Sequence, residues 1–204
     1  MNSNTKSLSN PPNPPAPFPE REGGDVISTP LSASGRGRGR GASIANQYKV
    51  LQADNLLKAA SDLKNSGKIV VFTNGCFDIL HSGHVRYLSV AKSLGDALIV
   101  GLNSDISVKI IKGEKRPIVS QEQRAEVLAA LFCVDYVALF DEPDPRNLIC
   151  AIKPDILVKG ADWTEDKIIG ADVVKANGGR VERISVVPDI STSEIISRIV
   201  SRYC

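Results

Sequence analysis

The sequence predicts an α/β domain: a single doubly wound, parallel, five-stranded sheet with helices on both faces, preceded by a disordered tail. Two observations carry this. Short β-rich runs recur at 68–74, 97–102, 136–140, 156–159 and 180–186, and helical periodicities fill the intervals between them. The runs are apolar on nearly every residue, which marks strands covered by helices on either side rather than a half-solvated antiparallel sheet. Composition sets the frame: 204 residues are enough for one such domain with an appendage, and a net charge of +2 gives no reason to invoke a nucleic-acid or membrane partner for its body.

Taken in order, residues 1–44 form a tail rich in proline, serine and glycine, from "PPNPPAPFPE" to "GRGRGRG". Such a stretch cannot bury enough apolar surface to offset its ordering entropy. Its run Arg36-Gly37-Arg38-Gly39-Arg40 is a weak pointer to RNA and otherwise a solvated tail. The folded domain is expected over 45–204. It opens on a helical pattern from Ala45 with Val50, Leu51, Leu57, Ala60 and Leu63 on one stripe, stopped at Asn65-Ser66-Gly67. Further helices are expected at 83–94, 121–132, 145–152, 166–177 and 193–202, with Ser120 and Gln123 as a capping box and Gly178-Gly179 as a stop. The segment "DISVKIIKGEKRP" reads as a basic loop punctuated by glycine and proline. Strict strand–helix alternation makes the sheet Rossmann-like, with its ligand at the carboxyl ends of the strands.

Four cysteines, Cys76, Cys133, Cys150 and Cys204, show neither a C-x-x-C pair nor zinc-like spacing, so reduced thiols are expected. No apolar run reaches the roughly 18 residues of a membrane span, and the N-terminus lacks a secretory h-region. A soluble, cytoplasmic protein with no membrane partner is the expectation.

The chain's two histidines stand together in "TNGCFDILHSGH", directly after the first strand. His81 and His84 fall one helical turn apart at the start of a helix whose free N–H groups and dipole favour an anion. Gly75 and Gly83 let the main chain approach a ligand that a Cβ would obstruct. The plainer readings are a cap plus a core histidine, or a metal pair; zinc, however, wants a third protein ligand that this sequence does not offer clearly. Near the C-terminus, Ser191-Thr192-Ser193 precede an apolar-periodic helix, where hydroxyls can cap the helix or hold an anion.

These residues resemble the cytidylyltransferase-like nucleotidyltransferases. His81-Ser82-Gly83-His84 matches the family's H-x-G-H turn, and Asn74-Gly75-Cys76-Phe77-Asp78 matches its first-strand loop. The resemblance runs from about residue 68 to 200. It implies that His81 and His84 stabilise charge on the α-phosphate of a nucleoside triphosphate, and that Asn74, Gly75, Cys76, Phe77 and Gly83 line the nucleotide site. Ser191, Thr192 and Ser193 would hold the β- and γ-phosphates, while Gly160 and Asp162 of "LVKGADW" face the nucleotide, with Trp163 a secondary candidate. Lys112 is assigned to the family's mobile lysine loop, with Lys109 as the fallback. Relatives that use CTP carry Arg-Thr-Glu-Gly where Val187-Pro188-Asp189 stand here, which argues against CTP.

Within the family, "NSDISVKIIKGEKRP", "LVKGADW" and "DISTSEII" are most similar to the adenylyltransferases that act on D-glycero-β-D-manno-heptose 1-phosphate, in the version without a fused kinase. The resemblance thus implies ATP and a sugar 1-phosphate as substrates, and Mg²⁺ carried by phosphates and water with no dedicated protein ligand. It also implies a homodimer. Asn103, Asp105 and Arg116 are the candidates for the sugar phosphate, although Asn103 and Asp105 read equally well as turn residues. The rival expectations are a cytidylyltransferase acting on glycerol phosphate or ethanolamine phosphate, and a nucleotide-binding module without turnover.

Overall fold

A computed structural model describes residues 49–185 and 190–204, all within one compact unit. The predicted tail over 1–44, the first residues of the helical pattern from Ala45, and Val187-Pro188-Asp189 lie outside the described residues.

The elements run α1 (Ala53–Asn65), β1 (Val70–Gly75), α2 (Ser82–Ser93), β2 (Ala97–Asn103), α3 (Asp105–Lys112), α4 (Gln121–Ala130), β3 (Tyr136–Phe140), α5 (Arg146–Ile152), β4 (Ile156–Gly160), α6 (Ala171–Ala176), β5 (Arg180–Ile184) and α7 (Thr192–Tyr203). The strands form one parallel sheet in the order β3-β2-β1-β4-β5. The chain moves outward from β1 to β3 and then returns to the other side of β1. The gap between the loops after β1 and β4 is therefore the topological switch point, where a crevice opens.

Each face of the sheet has its own core. Val71, Val100 and Val158 pack with Leu88, Ala91, Leu128 and Ala129 of α2 and α4. Val70, Phe72, Ile99 and Leu157 pack with Leu56, Ala60, Ile149 and Val174 of α1, α5 and α6. Every residue of β2 is buried, as a central strand covered on both sides requires.

Five local expectations are corrected. The first helix begins at Ala53, and Val50 instead bridges to Val137, with Leu51 N–H donating to the Val137 carbonyl at 2.9 Å and Val137 N–H to the Lys49 carbonyl at 2.8 Å. The open edge of β3 offers the backbone partners that draw residues 49–51 out of the helix. The inward stripe of α1 is Leu56 and Ala60, both buried, whereas Leu57 is exposed. The first part of the basic segment is helical: Ser104 caps α3 by accepting the Ser107 N–H at 3.3 Å, and Lys109 and Lys112 lie in its last turn, while 113–117 form the expected loop. Ser120 occupies the N-cap position of α4 without a side-chain cap bond. The helix expected at 166–177 splits into a 3₁₀ turn (Glu165–Lys167) and α6, because Gly170 takes φ +87° and packs so tightly that a Cβ there would meet Ile149 Cδ1 at 2.5 Å.

The corrected α1 register is testable. Leu56→Ala should cost about 2–5 kcal/mol of unfolding free energy, and Leu57→Ala less than about 1 kcal/mol. Urea titrations giving the two variants equal midpoints would refute the register.

Candidate functional site

A cavity of about 810 Å³ opens at the carboxyl edge of the sheet. Its wall joins the loop after β1, the starts of α2 and α7, the end of α3, and the loops after β3 and β4. Of the residues singled out from sequence, Asn74, Gly75, Cys76, Phe77, His81, Gly83, His84, Asn103, Lys112, Arg116, Gly160, Asp162, Trp163, Ser191, Thr192 and Ser193 all line it.

His81 is the N-cap of α2, and its ring stacks on that of His84 with centroids 3.8 Å apart and planes at 22°. Phe77 meets His84 edge-on, centroids 5.1 Å apart at 65°. Phe77 holds φ +43°, a left-handed backbone that a bulky residue adopts only when its surroundings fix it. The Nδ1 atoms of both histidines are buried without a hydrogen-bond partner. A buried N–H lacking an acceptor costs about 1–3 kcal/mol, so each ring carries its proton on Nε2, the nitrogen left to serve the cavity. Burial lowers the pKa of His81; burial, followed by the neighbouring His81, lowers that of His84 to about 4. Both rings are therefore neutral N–H donors at pH 7.

The two glycines do something different from what their place in the sequence suggests. A Cβ on Gly83 would meet His81 Nδ1 at 2.9 Å and Ile190 Cγ2 at 3.2 Å, and one on Gly75 would meet Phe77 Cε2 at 3.0 Å. They make room for the protein's own rings. The Gly83 contact also shows that the starts of α2 and α7 abut. Ser191 caps α7, its hydroxyl accepting the Glu194 N–H at 3.1 Å, and Thr192 Oγ1 donates to the Ile79 carbonyl at 3.5 Å. Two helix N-termini thus converge on one hollow.

Two candidates from the basic stretch fare differently. Lys112 is exposed at the cavity rim, while Lys109 is not on the wall. Arg116 lines the cavity but is paired through Nε with Asp78 Oδ2 at 2.5 Å. Asp105 is a correction: it does not reach the wall, because its carboxylate binds Arg124 at 2.7 Å. Asn103 is almost wholly buried at the back wall, where its amide donates to Ser107 Oγ at 2.9 Å.

Four further residues shape the site without having been singled out. Arg124 is fully buried and holds the Cys76, Asn103 and Val119 carbonyls at 2.5, 2.9 and 2.9 Å. Asp78 accepts the Ile118 and Val119 N–H groups at 2.8 and 2.9 Å, pinning the chain after α3 to the loop after β1. Burial alone would raise its carboxyl pKa, but those two bonds and Arg116 hold it below the ordinary range. Tyr87 shares a 2.8 Å hydrogen bond with Thr73, and burial pushes its phenol up to about 12. Lys159, partly buried, donates to Asn74 Oδ1 in the cavity; burial lowers its ammonium to about 8, with Asp162 opposing the fall. Its signal in the sequence was a lysine at the end of the otherwise apolar run "ILVKG".

The cytidylyltransferase-like family matches residues 72–198. The chain is 51% identical over 155 residues to the bifunctional protein HldE of Pelobacter propionicus, covering 76% of this chain and 32% of that protein. It is 53% identical over 155 residues to HldE of Geobacter sulfurreducens, with the same coverage of 76% and 32%. The chain thus spans about a third of the length of the curated relatives it matches. A crystal structure of the lipopolysaccharide core biosynthesis protein from Thermoplasma volcanium superposes with a TM-score of 0.50 at 33% identity, covering 59% of this chain and 98% of that one.

Asp78 gives a pH-dependent prediction. Its folded pKa is depressed, so its contribution is complete above the unfolded value of about 3.9 and is lost as pH falls through the lower folded value. Asp78→Asn should destabilise the protein by about 1–3 kcal/mol at pH 7, with the deficit shrinking below pH ~3. Denaturation at both pH values decides it; a deficit that grows in acid would reverse the assignment.

Proposed function

The chain belongs to the cytidylyltransferase-like family of nucleotidyltransferases, and we propose that it is an adenylyltransferase joining D-glycero-β-D-manno-heptose 1-phosphate to AMP from ATP. The carrying observation is the convergence of the α2 and α7 starts on one cavity, with two neutral imidazoles whose Nδ1 atoms are spoken for by burial. That arrangement suits a polyphosphate. The sugar assignment is supported by the resemblance of "LVKGADW" and "DISTSEII" to heptose 1-phosphate adenylyltransferases. Identity of about half with HldE proteins and the likeness to a lipopolysaccharide core biosynthesis protein point the same way.

In this reading an oxygen of the sugar phosphate attacks the α-phosphorus of ATP. The new P–O bond forms as the bond to the β-phosphate oxygen breaks, and pyrophosphate leaves in line. A phosphate monoester with a second pKa of about 6 is already anionic at pH 7, so no general base is required. Catalysis is positioning and charge stabilisation: His81 and His84 donate to the α-phosphate, Lys112 closes from the end of α3, and the α7 start with Ser191, Thr192 and Ser193 holds the β- and γ-phosphates. Asn74, Gly75, Cys76 and Phe77 form the floor, with Gly160 and Asp162 at the ribose. Mg²⁺ when bound would neutralise phosphate charge, held by the phosphates and water; among the described residues no group of three or more His, Cys, Asp or Glu side chains is placed to hold it. A cytoplasmic location and a homodimer complete the proposal. Among the described residues no helix is long and apolar enough to cross a membrane, and α7 leaves Ile199, Val200 and Tyr203 exposed for a protein contact.

A pyrophosphate-release screen tests this directly. Release is expected with ATP plus heptose 1-phosphate; release with CTP alone would shift the assignment to a cytidylyltransferase, and nucleotide binding without release to a binding module. His84→Ala should lower kcat by at least about 100-fold with little change in melting temperature, and a variant of near wild-type rate would remove His84 from the reaction centre.

A further inference from the structure

We propose that Lys159 is the residue that recognises the acceptor: its ammonium binds the phosphate of the incoming sugar 1-phosphate, on the side of the sheet edge opposite the histidines. The inference rests on the adenylyl-transfer reading and deepens it by naming the residue that meets the acceptor phosphate where it approaches the nucleotide.

Strand parity carries the geometry. Val71 and Val158 face the core under α2, and Thr73, on the same side as Val71, bonds to Tyr87 of α2. Phe72 and Leu157 face the core under α1 and α5. Alternation along each strand then sends Asn74 and Lys159 to the α5 side, where the two side chains meet. His81, His84 and the α7 start stand on the α2 side. In an in-line displacement the attacking and leaving oxygens lie on opposite sides of the phosphorus. With pyrophosphate leaving among the α2 and α7 starts, the acceptor phosphate approaches from the α5 side. Lys159 stands there.

An ammonium has three donors, and among the described residues Lys159 Nζ donates to Asn74 Oδ1 alone. Replacing solvent around a partly buried ammonium with a single amide oxygen is a poor exchange for folding alone; a dianionic phosphate would complete it. The charged groups around Lys159 are Asp162 on its own loop, its sheet neighbour Arg183 on β5, Asp144 before α5, Lys167 of the 3₁₀ turn, and the two neutral histidines across the sheet edge. Lys159 itself titrates near pH 8 in the free protein. Since protonated Lys159 binds the dianionic phosphate, whose second pKa is about 6, kcat/KM for the sugar phosphate holds between roughly pH 6 and about pH 8 and falls above it.

The test compares Lys159→Met and Lys159→Arg with wild type in the full chain, each checked by thermal melting and by ATP binding. Lys159→Met should raise KM for heptose 1-phosphate at least about tenfold, with KM for ATP changed less than about twofold, and should lose the alkaline fall. Lys159→Arg should recover acceptor affinity and move that fall well above pH 8, because guanidinium stays charged. Calorimetry with heptose 1-phosphate alone gives a readout independent of turnover: weaker binding to Lys159→Met than to wild type supports the assignment. Equal binding, an unmoved pH profile, or a rise confined to the KM for ATP overturns it. A wild type that binds heptose 1-phosphate through Lys159 yet releases no pyrophosphate would count against the transferase reading alone, and no binding to wild type would end both.

Discussion

The site depends on one buried cation. The guanidinium of Arg124 is withdrawn from water and satisfied by three carbonyls and one carboxylate, drawn from the loop after β1, the end of β2, the approach to α4 and the start of α3. A planar fork with five donors can bind several acceptors at once where an ammonium cannot. Desolvating that charge is costly, and the mutual attraction offsets it only if every acceptor is in place. The consequence is cooperative: the Cys76 carbonyl, the Asn103 carbonyl and Asp105 are fixed relative to one another or not at all. Asp78 repeats the device at smaller scale, tying residues 116–119 to the loop after β1. Between them these two charged groups set the near wall of the cavity, and α3 with Lys112 is hung from them.

The sheet supplies the other constraint, its parity. Successive side chains leave a strand on opposite faces, so two residues adjacent in sequence at a carboxyl edge are sent to opposite halves of a crevice that straddles the edge. Thr73 turns to α2 and Asn74 to α5; Val158 turns to α2 and Lys159 to α5. A doubly wound sheet therefore sends side chains to both sides of its crevice without any extra element, and the chemistry of the α5 side is decided by Asn74 and Lys159, one residue before the ends of β1 and β4.

The large features of this arrangement were legible in the sequence because they rest on local rules. Four of the strands announce themselves as apolar runs and the edge strand β5 as a mixture of apolar and charged residues, and the H-x-G-H turn carries its own glycine and helix start. What sequence missed depends on contacts far apart along the chain. Val50 was read as helical because periodicity cannot see the open edge of β3, some 87 residues away at Val137. Asp105 was left open between a sugar contact and a turn residue, because nothing local reveals its partner Arg124. The glycines at 75 and 83 were read as space for a ligand, when the atoms nearest to them belong to Phe77 and His81. Lys159 was passed over although the run "ILVKG" was in view, since its direction follows from strand parity against cores that only the fold defines.

Taken together, the titratable groups describe a cavity whose two rings are uncharged and whose buried ammonium is only modestly lowered. The histidines are neutral because they are buried and stacked, while Lys159, lowered to about 8, is still mostly protonated at pH 7. Burial makes each of these groups a reluctant cation, and the same low dielectric makes each a strong partner once an anion arrives. The permanently charged residues are used otherwise, Arg124 for architecture and Arg116 in its pair with Asp78, while Lys112 stays exposed at the rim. A centre of permanent cations would hold substrate and product phosphates alike. A centre of neutral ring donors and one buried ammonium gains most in the state with most negative charge, and in nucleotidyl transfer that is the moment when the acceptor and the leaving pyrophosphate share one phosphorus.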